Sequence, residues 1–394
     1  MQRKILFIIP GLKHGGTNQS LFNLLSLINK QGLDISIFAM DHHGPYKEKF
    51  SNQKILPVSF LLFLCVGKIS NENNLFENIS LFITKAFRKF LKIINLESVW
   101  NSINHVIYRQ VGKKIQEKNY DSIIAFQEGI VTNFVSVINA KKKIAWIHCD
   151  YNNYLKLTNY TDEKNIYNKF DHIICVSEYT KNTFTKHIPL LEKKVHVIHN
   201  IINTNFIIKL SAKKNGLDKQ FTDSGFNIIS IGRIDSVKRF SEIPQIASGL
   251  IKSGYIFKWY IIGGGGESKE KERLQNNIIK YNVNDFVILL GEKNNPYPYI
   301  AESKLLICTS LSEACPYVIN EAKILHIPVI STNFGSAKEF INHEENGYIV
   351  PLEKIEEKIG LMISDKESYA KIKNNIDFFT YDNDKLLKLV EALI

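Results

Sequence analysis

Short apolar runs that alternate with helix-period segments recur in two series along this 394-residue chain, and they constrain its fold more than any single motif. The first series comprises Lys4 to Ile9, Asp34 to Ala39, Ser122 to Phe126, Lys143 to Ile147, His172 to Val176 and Val195 to Ile198. The second comprises Phe226 to Ile231, Phe257 to Ile262, Phe286 to Leu290, Lys304 to Cys308 and Pro328 to Ser331. Between them lie helical patterns such as Asn18 to Lys30, with Leu21, Leu24, Leu25 and Ile28 on one face and Gly32 as a stop signal. Strands alternating with helices predict an α/β chain built from right-handed βαβ units, hence parallel sheets. Two series predict two similar domains, 1–200 and 225–375. A polar linker of Lys, Asn, Asp and Ser falls at 201–224, and a last segment of helical spacing at 376–394.

Composition supports a folded chain with two cores. Hydrophobic residues make up 44% and charged residues 23%, near the averages for globular proteins, which excludes disordered and fibrous classes. The run Ile5 to Ile9 is too short for a signal peptide, and the longest apolar stretch, Ile55 to Gly67, contains Pro57 and Ser59, so no spanning helix is expected. Cys65, Cys149, Cys175, Cys308 and Cys315 are scattered without zinc-like spacing, which predicts a reducing, cytoplasmic setting and no metal. The net charge of +11 has a local source: nine Lys or Arg against four Glu lie between Lys68 and Lys118. Within it, 81–94 places Ile83, Phe87, Phe90, Leu91 and Ile94 on one helical face and Lys85, Arg88, Lys89 and Lys92 on the other. Such a helix either covers its own core or lies peripherally on anionic lipid. No nucleic-acid motif accompanies the charge, so nucleic acid is not an expected partner.

Five segments can carry chemistry. In Ser312 to Ala322 (SEACPYVINEA), Glu313 and Glu321 flank Pro316, which is favoured where a helix begins. Glu313 is therefore expected in a loop and Glu321 inside a helix, both able to face one ligand or else two solvated acids on a surface helix. The small-residue turn Asn333-Phe334-Gly335-Ser336 follows the next strand. The loop Gly11 to Thr17, with Gly15 and Gly16 before a helix, lets a backbone approach an anion, or is a plain strand-to-helix turn. Gly232 to Arg239 carries Arg233 and Lys238 from a strand end, where two cations can converge on a diphosphate or remain a solvated charge run. Gly263 to Gly266 follows another strand, as a bed for a ring or phosphate or as a flexible turn. His148 ends the strand in WIHCDY, either as a structural histidine or as a polar group acting at a strand end, where ligands bind in open α/β sheets.

Taken in order, these motifs resemble retaining glycosyltransferases of family GT4. Glu313 to Glu321 resembles their E-x7-E motif. The glycine loop, the Gly-Arg loop with its lysine, IIGGGGE, VSEYTKNTF and GSAKEFINHEENGYIVP are similar to other segments of that family. The resemblance spans nearly the whole chain and is weakest from Pro57 to Asn119. It implies the GT-B fold, two Rossmann-like parallel-sheet domains facing across a cleft, with a final helix returning to the first domain.

The resemblance also implies roles. Arg233 and Lys238 would hold the diphosphate of a nucleotide-sugar donor, UDP- or GDP-linked, and Glu321 the ribose hydroxyls. Glu313 and His148 would contact the donor sugar, with Gly15, Gly16, Gly263, Ala314, Cys315 and Tyr317 lining the donor site. Ala314 and Cys315 replace a Gly-Phe pair often found there, which leaves sugar preference open. Neither cofactor nor metal is implied, and Asp382-Asn383-Asp384 reads as a helix cap. The implied reaction moves a hexose or N-acetylhexosamine to a glycan, lipid-linked and part of a bacterial surface polysaccharide (capsule, O-antigen or exopolysaccharide), at the inner face of the cytoplasmic membrane. The alternatives are a related enzyme with a soluble acceptor and a non-catalytic nucleotide-sugar-binding subunit of a glycan assembly complex.

Overall fold

The computed structural model describes residues 2–67, 69–70, 72–158, 162–219, 221 and 225–394. The chain divides into two compact units, the first Met1–Ile201 with Asn383–Ile394, the second Ile202–Asp382.

The first unit is built on a seven-stranded sheet in the order β3-β2-β1-β4-β5-β6-β7, every neighbouring pair parallel. Its strands are β1 (Arg3–Ile9), β2 (Leu33–Ala39), β3 (Lys54–Ile55), β4 (Ser122–Ala125), β5 (Lys142–Ile147), β6 (His172–Cys175) and β7 (Val195–Val197). Side chains alternate across the sheet, so Leu6 and Ile8 join Phe38, Ile123, Ala145 and Ile173 in one core, while Phe7 packs edge-on against Phe126 on the other face. Ile5 to Ile9 are wholly buried, as a strand covered on both faces requires. The helix Asn383–Leu393 belongs to this unit. Its terminal carbonyls accept from Arg3 (Nη1 to Ile394 O, 2.9 Å) and Lys142 (Nζ to Leu393 O, 2.9 Å).

The second unit holds a six-stranded parallel sheet, β10-β9-β8-β11-β12-β13. These strands are β8 (Asn227–Ile231), β9 (Lys258–Ile262), β10 (Val287–Gly291), β11 (Leu305–Cys308), β12 (Val329–Thr332) and β13 (Tyr348–Val350). A buried chain of donors links three of them: the Trp259 indole donates to Ser230 Oγ (3.0 Å), and Ser230 donates to Ile307 O (2.8 Å). In both sheets the strand order reverses once, between β1 and β4 and between β8 and β11. At such a point the following loops diverge and leave a crevice at the strands' carboxyl ends.

Several sequence expectations need revision. β3 and β13 are absent from the two series because β3 runs into the apolar stretch Ile55 to Gly67 and β13 lies between the turn signals Gly347 and Pro351. Ile55 to Gly67 divides into β3 and a helix, Phe60–Val66. The expected linker 201–224 contains the helix Thr204–Ser211, capped by Asn203 Oδ1 accepting from Phe206 N (3.0 Å), and a 3-10 turn at Lys214–Gly216. Its residues 220 and 222–224 lie outside those described. The helix Lys366–Asp377 runs through the boundary expected at 375, and the returning segment begins at Asn383.

Candidate functional site

The reversal in the second sheet brings together two loops that the sequence separates by some seventy residues. The first follows β8 and carries Arg233, Asp235, Lys238 and Arg239. The second follows β11 and carries Ser310, Glu313, Ala314, Cys315 and Pro316. Lys238 Nζ pairs with Glu313 Oε1, which also accepts from Ser310 Oγ (2.6 Å). Both charged side chains are largely sheltered. Burial alone would lower the Lys238 pKa, but the Glu313 carboxylate more than offsets it and holds the ammonium above its ordinary value. Lys238 is therefore a fixed positive charge at neutral pH.

The backbone around this pair is held from several sides. Asp235, itself buried, accepts from Lys238 N (3.0 Å) and pairs with Arg233 (3.1 Å). Arg239 adopts a left-handed conformation (φ 54°), and its guanidinium donates to Thr309 O (2.7 Å) and Ser310 O (3.2 Å), closing the carboxyl end of β11. Ser336, wholly buried in the loop after β12, donates to Glu313 O (2.8 Å). Arg233 differs from these groups: its side chain is 68% exposed and projects from the strand end.

Glu321 lies in the helix Tyr317–Ile324, opened by Pro316, so the expected loop and helix placement of the two glutamates holds. They have different partners. Glu321 accepts from the Tyr297 hydroxyl (3.2 Å), and burial pushes its carboxyl up to about 7 despite that bond. Ala314 and Cys315 are buried in the loop, Tyr317 begins the helix half-buried, and Phe334 is buried after β12.

The glycines after β9 answer to packing. A Cβ on Gly263 would lie 1.9 Å from Gly232 O, and one on Gly266 (φ 78°) would lie 2.2 Å from Ile234 O. Both let the two loops run side by side, tied by Glu267 N to Ile234 O (2.9 Å). This turn is thus neither flexible nor shaped only for a ligand. Gly263 helps to hold the loop that carries Arg233.

The reversal in the first sheet carries the glycine loop after β1 and Gln127-Glu128-Gly129 after β4. Asn18 shapes the glycine loop by donating to Gly11 O (2.9 Å) and Lys13 O (2.7 Å). Gly15 is extended (φ 168°), and a Cβ on Gly15 or Gly16 would meet nothing within 4 Å, so no neighbour in the fold requires glycine there. His148 follows β5 and packs against Phe126 (4.8 Å) and Trp146 (6.0 Å). Its Nε2 is shielded from solvent and has no hydrogen-bond partner among the described residues. Burial pushes its pKa down to about 3, so the ring is neutral. Its backbone N–H donates to Glu128 Oε2 (2.9 Å), and burial raises the Glu128 carboxyl.

Two family profiles match nearly the whole chain. Glycosyltransferase Family 4 covers residues 14–206, and Glycosyl transferases group 1 covers residues 215–377. The chain is a family 4 glycosyltransferase. Full-length likeness supports the assignment: an uncharacterized glycosyltransferase of Haemophilus influenzae is 23% identical, over 96% of each chain. The N-acetylgalactosamine-N,N'-diacetylbacillosaminyl-diphospho-undecaprenol 4-alpha-N-acetylgalactosaminyltransferase of Campylobacter jejuni is also 23% identical, over 89% of this chain and 87% of its own. Among solved structures, Anabaena HepE in complex with UDP and glucose superposes with a TM-score of 0.73 at 17% identity, covering 99% of each chain. The fold is GT-B.

In this glycosyltransferase the sequence reading missed Asp235, Arg239, Ser336, Tyr297 and Glu128. Asp235 and Arg239 lie inside a segment that was singled out, but as bare types they read as solvated charge. Ser336 was named only as part of a turn. Tyr297 and Glu128 have no local signal, because each gains its role from a partner on another element, Glu321 in the helix Tyr317–Ile324 and His148 after β5.

Proposed function

We propose that this glycosyltransferase moves a hexose or N-acetylhexosamine, with retention, from a UDP- or GDP-linked sugar to a lipid-linked glycan in bacterial surface polysaccharide synthesis, at the inner face of the cytoplasmic membrane. The partly buried Lys238–Glu313 pair at the reversal of the second sheet, with exposed Arg233 on the same loop as Lys238, carries this reading. A departing nucleoside diphosphate gathers negative charge as its bond to the sugar breaks, and preorganised cations in a sheltered site lower the barrier to that step. Arg233 supplies the planar fork suited to phosphate, and Lys238 supplies a fixed point charge.

In the proposed step the bond between the anomeric carbon and the diphosphate oxygen breaks with its electron pair going to the diphosphate. The acceptor oxygen bonds to the anomeric carbon on the same face, and its proton passes to a departing phosphate oxygen. Glu313 keeps Lys238 in place and faces the sugar. Glu321 accepts the ribose hydroxyls, and Ala314, Cys315, Tyr317 and Gly263 line the donor. In the first unit, Gly15 and Gly16 are assigned to backbone contact with phosphate or sugar, supported by the room beside them. His148, neutral and with Nε2 free to bond, is assigned to the donor sugar. Because two protein cations meet the leaving group, transfer is expected to persist in EDTA.

The Campylobacter relative's diphospho-undecaprenol acceptor and the Anabaena neighbour's UDP support the acceptor and donor classes. The test is product formation from UDP- and GDP-sugars with a polyprenyl-diphosphate glycan, read by mass and by the anomeric configuration of the new linkage. Inversion, or transfer by Arg233→Ala at the wild-type rate, would overturn the mechanism.

A further inference from the structure

The helix Leu75–Ile93 is oriented unlike an ordinary amphipathic helix. Its buried residues are Glu77, Leu81 and Leu91, on one side. Leu75, Ile79, Phe82, Ile83, Phe90 and Ile93 recur at spacings of three and four and form a stripe on the opposite side, which faces solvent. Ile93 is 69% exposed, Phe82 65% and Ile83 61%. Of the two readings left open for this segment, covering its own core holds for Leu81 and Leu91 only, and Leu91, expected on the same face as Ile83 and Phe90, lies on the opposite, buried side. Phe76 continues the face onto the preceding helix by stacking on half-exposed Phe60 (5.5 Å).

The orientation is fixed from within. Asn74 and Glu77 form a reciprocal cap, Asn74 N to Glu77 Oε2 (2.9 Å) and Glu77 N to Asn74 Oδ1 (2.9 Å). The Glu77 carboxylate also lies 3.4 Å from His43 Nε2, and His43 Nδ1 lies 3.1 Å from Asp41, which pairs with Lys13 (3.5 Å). This chain of contacts joins the helix start to the carboxyl end of β2 and to the glycine loop.

We propose that this helix docks on an anionic lipid bilayer, its apolar face in the headgroup region and the long side chains of Lys85, Lys89 and Lys92 reaching round to the lipid phosphates, while Arg88, on the protein-facing side, lies over the Trp100 ring (6.0 Å). Charge selects the occupant. Glu77 is the helix's one acid and is buried, so every exposed charge on the helix is positive. A second copy of the chain would set these cations against one another, whereas an anionic surface complements them. The anchoring contacts would then hold the glycine loop at a set place relative to the bilayer. This deepens the lipid-linked acceptor reading but rests on separate observations.

The test is flotation of the full chain with vesicles of mixed phosphatidylglycerol and phosphatidylcholine, and with phosphatidylcholine alone. The expected result is binding to the anionic vesicles, at least about tenfold weaker for Phe82→Ser/Phe90→Ser and about fivefold weaker per charge removed in Lys85→Gln, Lys89→Gln and Lys92→Gln. Unchanged thermal melting and UDP binding would confirm that these variants fold. No binding to anionic vesicles overturns the proposal, as does binding that survives the Phe82/Phe90 substitution. A dimer in light scattering that the same substitution dissolves, without flotation, also overturns it. Transfer to a detergent-solubilised lipid-linked glycan reads the acceptor separately: activity there without flotation removes the docking face and spares the acceptor assignment.

Discussion

The two units reverse strand order in the same way, yet they fill the resulting crevices with opposite electrostatics. At the β8/β11 reversal a partly buried ammonium and carboxylate pair with each other, and the same loop carries an exposed guanidinium. At the β1/β4 reversal the nearby groups are glycines, an imidazole kept neutral by burial and a carboxyl whose pKa is raised. Topology alone therefore supplies a crevice but no chemistry. What distinguishes the halves is where the first loop's cation finds its counter-charge: Lys238 pairs with Glu313 from the loop after the crossover partner, whereas Lys13 of the glycine loop pairs with Asp41 after β2.

The largest effect should come from breaking the charged half. Lys238→Met leaves the partly buried Glu313 without its counter-ion and removes a cation from the proposed leaving group. Removing one partner of a buried pair costs about 3–5 kcal/mol, and deleting one transition-state donor costs about a hundred- to a thousandfold in kcat. Transfer should fall by roughly a thousandfold, with a lowered melting temperature. Arg233→Ala, at an exposed side chain, should lose comparable activity while its melting temperature stays within a degree or two of wild type. Equal melting losses in both variants would mean that the two cations do not divide as the burial difference predicts.

The glycines sharpen the same contrast. Gly263→Ala forces a Cβ to within 1.9 Å of Gly232 O and must push apart the loops after β8 and β9. A destabilisation above about 2 kcal/mol is expected, several degrees of melting for a unit of this size. Gly16→Ala has open space around it and should leave stability within about 0.5 kcal/mol. Any loss of kcat/KM in Gly16→Ala then reports a ligand's approach to that backbone. If Gly263→Ala melts like wild type, the packing account of IIGGGGE is wrong.

Much of the fold was legible because parallel strands buried on both faces leave continuous apolar runs. Ile5 to Ile9 and Ile228 to Ile231 stand out without any three-dimensional knowledge. The placement of Glu313 before a helix and Glu321 within it followed from Pro316 alone. The bonding was not legible, because Lys238 meets Glu313, Tyr297 meets Glu321 and Glu128 meets His148 only once separate elements have packed together, 75, 24 and 20 residues apart in sequence. Leu75–Ile93 shows another limit: periodicity revealed an apolar stripe but could not say which side of the helix the protein would cover.

Glu321 offers a smaller, graded test. Its carboxyl, at about 7, is close to half protonated at neutral pH. Two ribose hydroxyls donating to it would favour the ionised form and pull its pKa down in the complex. Nucleotide affinity should then rise with pH and level off above 7, while below 7 it falls by up to about tenfold per pH unit until the bound-state pKa is reached. Calorimetric titration of a UDP-sugar, whose diphosphate has no ionisation in this range, from pH 5.5 to 8.5 would read this, and Glu321→Gln should bind more weakly with a flat profile. His148, held near 3, should add no limb over this range. A limb that persists in Glu321→Gln would place the titrating group elsewhere.

The smallest effects should come from the props behind each half. Ser336 Oγ donates to Glu313 O, and Glu128 Oε2 accepts from His148 N. Each bond fixes the backbone of a residue assigned to the sugar, and losing one hydrogen bond of this kind costs about 1 kcal/mol. Ser336→Ala should therefore lower kcat about fivefold with little change in KM. Glu128→Gln keeps an acceptor oxygen for the His148 N–H and should stay near wild type, whereas Glu128→Ala leaves that N–H unsatisfied and should fall about as far as Ser336→Ala. If Glu128→Gln lost as much as Glu128→Ala, the carboxyl proton itself would be in use, and the first crevice would prove less neutral in its chemistry than in its resting charge.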